Sequence, residues 1–99
     1  MPTPLYAFAL CTAIDGDTLR CGGERVRLAR IDTPERYEAG FQEAKTAMRL
    51  LVEGKEVRCV VTKREKYGRL LGECAAGGTP SLGDEMLARG LAARYRGRR

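Results

Sequence analysis

Histidine is missing from all 99 residues. Its absence removes the side chain that titrates nearest neutrality and the commonest transition-metal ligand, so proton transfer falls to Asp, Glu, Tyr, Lys or Cys. No Cys-x-x-Cys pair occurs among Cys11, Cys21, Cys59 and Cys74. That spacing argues against a zinc site and leaves the four as core thiols or disulfides. No apolar run approaches the roughly 18 residues of a membrane span, so no membrane partner is expected. The apolar Leu5-Tyr6-Ala7-Phe8-Ala9-Leu10-Cys11 has no basic region before it and reads as a first strand rather than part of a signal peptide. Internal repeats, low-complexity segments and linkers are also lacking, and the length suits one domain over 1–99 with a modest core.

Positive charge is in excess, with 18 Lys and Arg against 13 Asp and Glu and a net charge of +5. Basic proteins attract phosphates by releasing their counterions, so nucleic acid is a reasonable partner class. The closing Arg94-Tyr95-Arg96-Gly97-Arg98-Arg99 fits a solvated tail equally well.

The element order reads β-β-β-α-β-β-α. A strand from Tyr6 to Ile14 is followed by the Asp15-Gly16-Asp17-Thr18 turn and a strand from Leu19 to Cys21. Gly22-Gly23 then turns the chain into a third strand from Arg25 to Ile31. From Phe41 to Glu53 the period is helical, with Ala44, Ala47, Met48 and Leu51 on one face and Gly54 as the stop. Strands follow over Glu56–Thr62 and Leu70–Ala75, and Ser81-Leu82-Gly83-Asp84 resembles a capping box opening a short helix that ends at Gly90. Five strands with a helix between the third and fourth suit a small α+β Greek-key barrel, the oligonucleotide/oligosaccharide-binding (OB) fold.

The stretch Arg27-Leu28-Ala29-Arg30-Ile31-Asp32-Thr33-Pro34-Glu35 begins as a strand and ends in two carboxylates, a hydroxyl and a proline. Strict alternation from Arg27 sends Asp32 to the opposite face, so the chain must bend near Arg30 if both serve one site. The same residues also fit a helix start, with Thr33 as cap, Pro34 in first position and Glu35 favouring the dipole. Asp15-Gly16-Asp17-Thr18 alone reads as a tight turn. It is not a calcium hand, because Val26 stands where the twelfth-position Glu would be. Glu65-Lys66-Tyr67-Gly68-Arg69 alone reads as a charged hairpin loop.

Together these three segments resemble the staphylococcal nuclease family (thermonucleases): its Asp-Gly-Asp-Thr turn, its Arg…Asp-Thr-Pro-Glu segment and its Tyr-Gly-Arg loop. The resemblance runs from about Leu10 to Tyr95 and includes Gly90-Leu91-Ala92. It implies the five-stranded OB barrel and a calcium-dependent nuclease that hydrolyses DNA and RNA phosphodiesters with little sequence preference; a monomer is expected. By motif position it implies that Asp17 and Asp32 ligate calcium, that Thr33 adds its backbone carbonyl, and that Asp15 supports them. Glu35 would orient or deprotonate the attacking water, while Arg27 and Arg69 bind the phosphate. Lys66 and Tyr67 match positions that contact a substrate phosphate, and Tyr95 matches an aromatic that stacks on a base. Such families are often secreted or periplasmic. Two departures are Gly83, where the family usually has Asn, and Arg30, whose side chain must find water or an acid. The short Arg36–Phe41 segment leaves the expected site more open. The alternative is a non-catalytic module, since the same barrel also holds nucleic acid or protein ligands.

Hairpin register bears on the cysteines. A three-residue loop at Asp15-Gly16-Asp17 opposes Cys11 to Cys21, and a four-residue loop from Glu65 to Gly68 pairs Arg64 with Arg69 and opposes Cys59 to Cys74. Directly opposed strand residues lie within disulfide reach. Four buried free thiols are the other outcome the sequence allows.

Overall fold

A computed structural model describes residues 5–97; Arg98 and Arg99 of the basic tail lie outside them. Eight strands and two helices follow in the order β1 (Leu5–Phe8), β2 (Cys11–Ala13), β3 (Thr18–Cys21), β4 (Glu24–Leu28), β5 (Ile31–Asp32), α1 (Phe41–Val52), β6 (Val57–Arg64), β7 (Leu70–Ala76), α2 (Leu82–Ala88) and β8 (Ala93–Arg94). The main sheet runs β1-β6-β7-β4-β3-β2. Its two end strands, β1 and β2, are consecutive in the chain, so one bent first strand closes the sheet on itself. This is the expected α+β OB-like barrel. The pairing of β4 with β7 is parallel, and all others in this sheet are antiparallel.

The expected strand over Tyr6–Ile14 is thus two strands, broken at Ala9 and the exposed Leu10. A strand that must pair with β6 at one end and β3 at the other cannot stay straight in a small barrel. The third strand is also divided. It turns at Ala29-Arg30, which supplies the bend that Arg27 and Asp32 require.

Alternation places Leu19, Cys21, Val26, Leu28, Leu70, Cys74, Val57, Cys59 and Val61 inside the barrel. The interior is closed by α1 through Ala44, Ala47, Met48 and Leu51, the face its periodicity predicts, together with Val52. Gly54, at φ 71°, follows that helix as the left-handed residue that ends it. The Ser81 side chain accepts from the Asp84 N–H and caps α2 as expected. No helix among the described residues is long and apolar enough to cross a membrane.

Cys11 pairs with Cys21 and Cys59 with Cys74 in register, and both pairs are disulfides; no free cysteine occurs among the described residues. The free-thiol outcome is therefore set aside. One detail of the second hairpin differs from expectation: Arg64 pairs with Leu70, not Arg69. A bulge between Val61 and Lys63 adds a residue to β6 and shifts the register beyond it. Gly72 sits at this bulge, where a Cβ would lie 2.3 Å from the Val60 carbonyl oxygen.

Candidate active site

Thr18 and Leu71 flank Arg27 on the neighbouring strands, in a row on the barrel's outer face that is nonetheless buried. Arg27 is only 7% exposed. A guanidinium in such a place needs partners for its fixed fork of donors, and the bend after β4 supplies them. Nη1 donates to the carbonyls of Leu28 and, at 2.7 Å, Ile31. Nη2 lies 2.5 Å from Asp32 Oδ1 and 3.4 Å from Asp17 Oδ2. The strand residue and the two motif carboxylates are thereby drawn into one charged group.

The Asp15-Gly16-Asp17 turn is held to the Asp32-Thr33 segment from the other side. Asp17 Oδ2 accepts from the Thr33 N–H at 3.0 Å, Asp17 Oδ1 accepts from Thr18 Oγ1 at 3.0 Å, and Asp15 Oδ1 accepts from the Asp17 N–H at 3.1 Å. Gly16 is required here by close approach. A Cβ at this position would lie 2.8 Å from Thr33 Oγ1, Thr33 Cγ2 and Ala44 Cβ. The Thr33 hydroxyl oxygen is itself buried without a hydrogen-bond partner among the described residues. Residues 33–35 are irregular and α1 starts at Phe41, so the helix-start reading of Thr33-Pro34-Glu35 is corrected. Asp17 takes the Thr33 N–H instead, and the chain continues across the surface.

Burial pushes the Asp15 carboxyl up to about 6, with the side-chain hydrogen bond and charge of Asp17 as the next causes. Asp15, Asp17 and Asp32 together set three carboxyls against the one guanidinium of Arg27, so the group carries a surplus of acid. No group of three or more His, Cys, Asp or Glu side chains is arranged to hold a metal ion among the described residues. Even so, the carboxylates of Asp17 and Asp32, supported by Asp15, and the Thr33 carbonyl are hard oxygen donors. Calcium takes 6–8 oxygens in a flexible shell that water can complete, so the chemistry of the donor set and its surplus negative charge fit that ion.

Glu35 is exposed, its backbone N–H donating to the Glu38 carboxylate at 2.7 Å. A cavity of about 390 Å³ lies alongside, between Asp32-Thr33-Pro34 with Glu38 and the Gly90–Ala93 segment. The Gly90–Ala93 segment is fixed by β8 pairing with β5 and by the Tyr95 N–H donating to the Arg30 carbonyl at 2.8 Å. Tyr95 is therefore tied to the Arg30 side of the segment. Arg30 finds the acids its position demands, at 3.3 Å from Glu73 and 2.9 Å from Asp84.

Lys66, Tyr67 and Arg69 form a second group. With Arg25 and Glu65 they line a cavity of about 350 Å³. Arg69 Nε donates to Glu65 Oε1 at 2.7 Å, while the Lys66 ammonium lies 5.4 Å from the centroid of the exposed Tyr67 ring. No direct contact joins this group to the aspartates among the interactions described, but the parallel register relates them. Val26 pairs with Leu70 and Arg27 with Leu71, so Arg69 stands beside Arg25, diagonally about 8 Å from Arg27 between Cα positions. Neither Arg25 nor Glu38 stands out in the sequence as a site residue, and Glu65 enters there only as the first residue of the charged loop. The i to i+2 spacing of Arg25 and Arg27 on one strand, and the i to i+4 spacing of Glu65 and Arg69, were the available signals.

Comparison with known proteins adds to this geometry. Residues 25–99 match the family described as Staphylococcal nuclease homologue. The Succinoglycan biosynthesis protein ExoI of Rhizobium meliloti (strain 1021) is 34% identical over 74 residues, covering 64% of this chain and 39% of that protein. An Uncharacterized endonuclease of Escherichia coli O157:H7 is 33% identical over 83 residues, covering 80% of this chain and 54% of its own length. The Probable staphylococcal-like nuclease CAN1 of Oryza sativa subsp. japonica is 35% identical over 71 residues, 72% of this chain and 21% of that protein. The chain thus spans about half, or less, of the length of these relatives.

Proposed function

We propose that this chain, which belongs to the staphylococcal nuclease family, is a calcium-dependent nuclease cleaving phosphodiester bonds of DNA or RNA with little sequence preference. The observation that carries this reading is the buried Arg27, held in a fixed orientation by two carbonyls and the carboxylates of Asp17 and Asp32. A phosphodiester is an anion that resists attack by water until its charge is offset and a base takes the proton. Arg27 and Arg69 are the donors to the phosphate oxygens, and a guanidinium whose geometry is already fixed loses little entropy in gripping a transition state. Glu35 is the base. Water attacks phosphorus as one of its protons passes to Glu35; a new P–O bond forms, the P–O ester bond breaks, and the ester oxygen leaves with the bonding pair and takes a proton from solvent. Asp17, Asp32 and the Thr33 carbonyl would hold calcium, with Asp15 supporting. When bound, that ion would offset phosphate charge as a Lewis acid. Lys66 and Tyr67 contact a neighbouring phosphate, and Tyr95 supplies a base-stacking surface.

One feature favours a second reading, a non-catalytic binding module: Arg27 already has a partner on both terminal nitrogens. Cleavage assays separate the two. Purified protein is incubated with single-stranded DNA or RNA in calcium and then in excess chelator. Cleavage in calcium that stops with chelator and returns on calcium addition is expected. Binding without cleavage under all conditions would replace the nuclease by the module.

A further inference from the structure

Three arginines stand in one row across β3, β4 and the residue that leads into β7. Arg20 on β3 is directly opposite Arg25 on β4. The parallel register that pairs Val26 with Leu70 puts Arg69 beside Arg25 on the other side. The row of Leu19, Val26 and Leu70 next to it points into the core, so the arginines share the outer face. Arg20 and Arg25 are both exposed, and beyond the backbone ladder neither side chain makes a hydrogen bond or ion pair among the described residues. Like charges placed directly opposite on paired strands oppose folding, so the arrangement calls for an anion supplied from outside. The row does not end in open solvent. Arg25 and Arg69 line the cavity that also holds Lys66 and the 84% exposed Tyr67. Against these cations stands the single acid Glu65, already paired with Arg69.

We propose that Arg20 and Arg25 extend the substrate site of this protein into a phosphate track for single-stranded nucleic acid, running from the Lys66-Tyr67 loop across β4 to β3. The inference rests on the nuclease reading for the position of the cleaved phosphate and goes beyond it by assigning residues to the rest of the strand. Neighbouring strands lie about 4.8 Å apart, so the row spans about 10 Å between the Cα atoms of Arg69 and Arg20, and flexible guanidinium arms widen it. Flexible phosphates can follow such a line, and Tyr67 offers a face on which a base can stack. A cationic groove combined with an exposed aromatic suits a single strand better than a duplex, whose bases are already stacked.

The test compares wild type with Arg20→Gln/Arg25→Gln, using fluorescein-labelled oligothymidine of 3 and 12 nucleotides. Binding is followed by anisotropy in excess chelator so that cleavage cannot intrude. The wild type is expected to prefer the longer strand, and the double variant to lose about tenfold on the 12-mer and most of that length preference. The slope of log affinity against log salt should shrink by about 0.7 per arginine removed. Arg49→Gln, a change on the outside of α1, should alter none of these. Melting temperatures of the variants without ligand should be equal to or above wild type, because the paired like charges are relieved. Unchanged length preference and salt slope in the double variant would overturn the track. Equal affinity and equal arginine dependence on a 12-base-pair duplex would overturn the single-strand assignment. If wild type binds the 12-mer through these arginines but never cleaves it, the track stands and the nuclease reading falls. If it cleaves while the variant keeps its length preference, the nuclease reading stands and the track falls.

Discussion

Gly16→Ala adds one methyl group at the tightest point of the candidate site. The position is buried, and the new carbon would sit 2.8 Å from Thr33 Oγ1, Thr33 Cγ2 and Ala44 Cβ. Gly16 does not have positive φ, so the substitution is opposed by space rather than backbone strain. Overpacking of this kind typically costs about 1–3 kcal/mol. For a domain of this size each kcal/mol lowers Tm by about 4–8 °C, so a fall of roughly 5–20 °C is expected by circular dichroism. The methyl also pushes the Asp15-Asp17 turn away from Thr33, whose N–H donates to Asp17. Calcium affinity by isothermal titration calorimetry should therefore fall along with Tm. Thr33→Ala removes two of the three clashing atoms while leaving the backbone N–H and carbonyl in place, and it deletes a buried hydroxyl without a partner. The double variant should regain part of the lost Tm, a coupling that distant sites do not show. A Gly16→Ala protein melting within about 1 °C of wild type, or losses that simply add in the double variant, would refute the packing argument.

Reduction of both disulfides, which close segments of sequence separation 10 and 15, should lower stability by about 3 kcal/mol each in the chain-entropy view; denaturant melts with and without reductant measure it, and coincident curves would contradict it. In chelator, the raised Asp15 makes the folded state bind more protons than the unfolded between about pH 4 and 6, so its share of stability declines as pH rises through that window. The shift is worth at most about 3 kcal/mol and closer to 1 once solvent screening at this partly exposed group is included, and Asp15→Asn should flatten the slope of urea-derived stability over that range. Arg27→Gln leaves the Asp17 and Asp32 carboxylates without their cation and should cost about 3 kcal/mol by urea unfolding, with calcium relieving part of the loss; an unchanged unfolding midpoint would argue against the buried charge group.

The parts of this structure legible in the sequence are those set by local chemistry. Asp15-Gly16-Asp17 fixed the first hairpin, and with it the facing of Cys11 and Cys21. The spacing of Ala44, Ala47, Met48 and Leu51 defined the buried face of α1. The break at Ala9-Leu10 was not legible, because nothing in Leu5–Cys11 signals that its two ends pair with different strands. Nor was the bulge near Thr62, which depends on how Gly72 lets two backbones approach. Thr33-Pro34-Glu35 carries a helix-start signature that lost to a tertiary bond, the Thr33 N–H to Asp17. The arginine row depends on the parallel pairing of β4 with β7, a contact between segments some forty residues apart for which no local pattern exists. Arg20, Arg25 and Arg69 are each unremarkable until that register is known.

Whether Glu35 takes a proton in the proposed phosphodiester cleavage, with Arg27 and Arg69 on the phosphate, is read from single-turnover cleavage by Glu35→Gln. Glutamine keeps the size and hydrogen-bonding capacity of glutamate but removes its basicity. With saturating enzyme and calcium on a short single-stranded DNA, the cleavage rate is predicted to fall by about 10²-fold or more, while affinity for the same strand in chelator stays within a few fold. Single-turnover cleavage near the wild-type rate by a fully folded Glu35→Gln protein would mean that Glu35 is not the base.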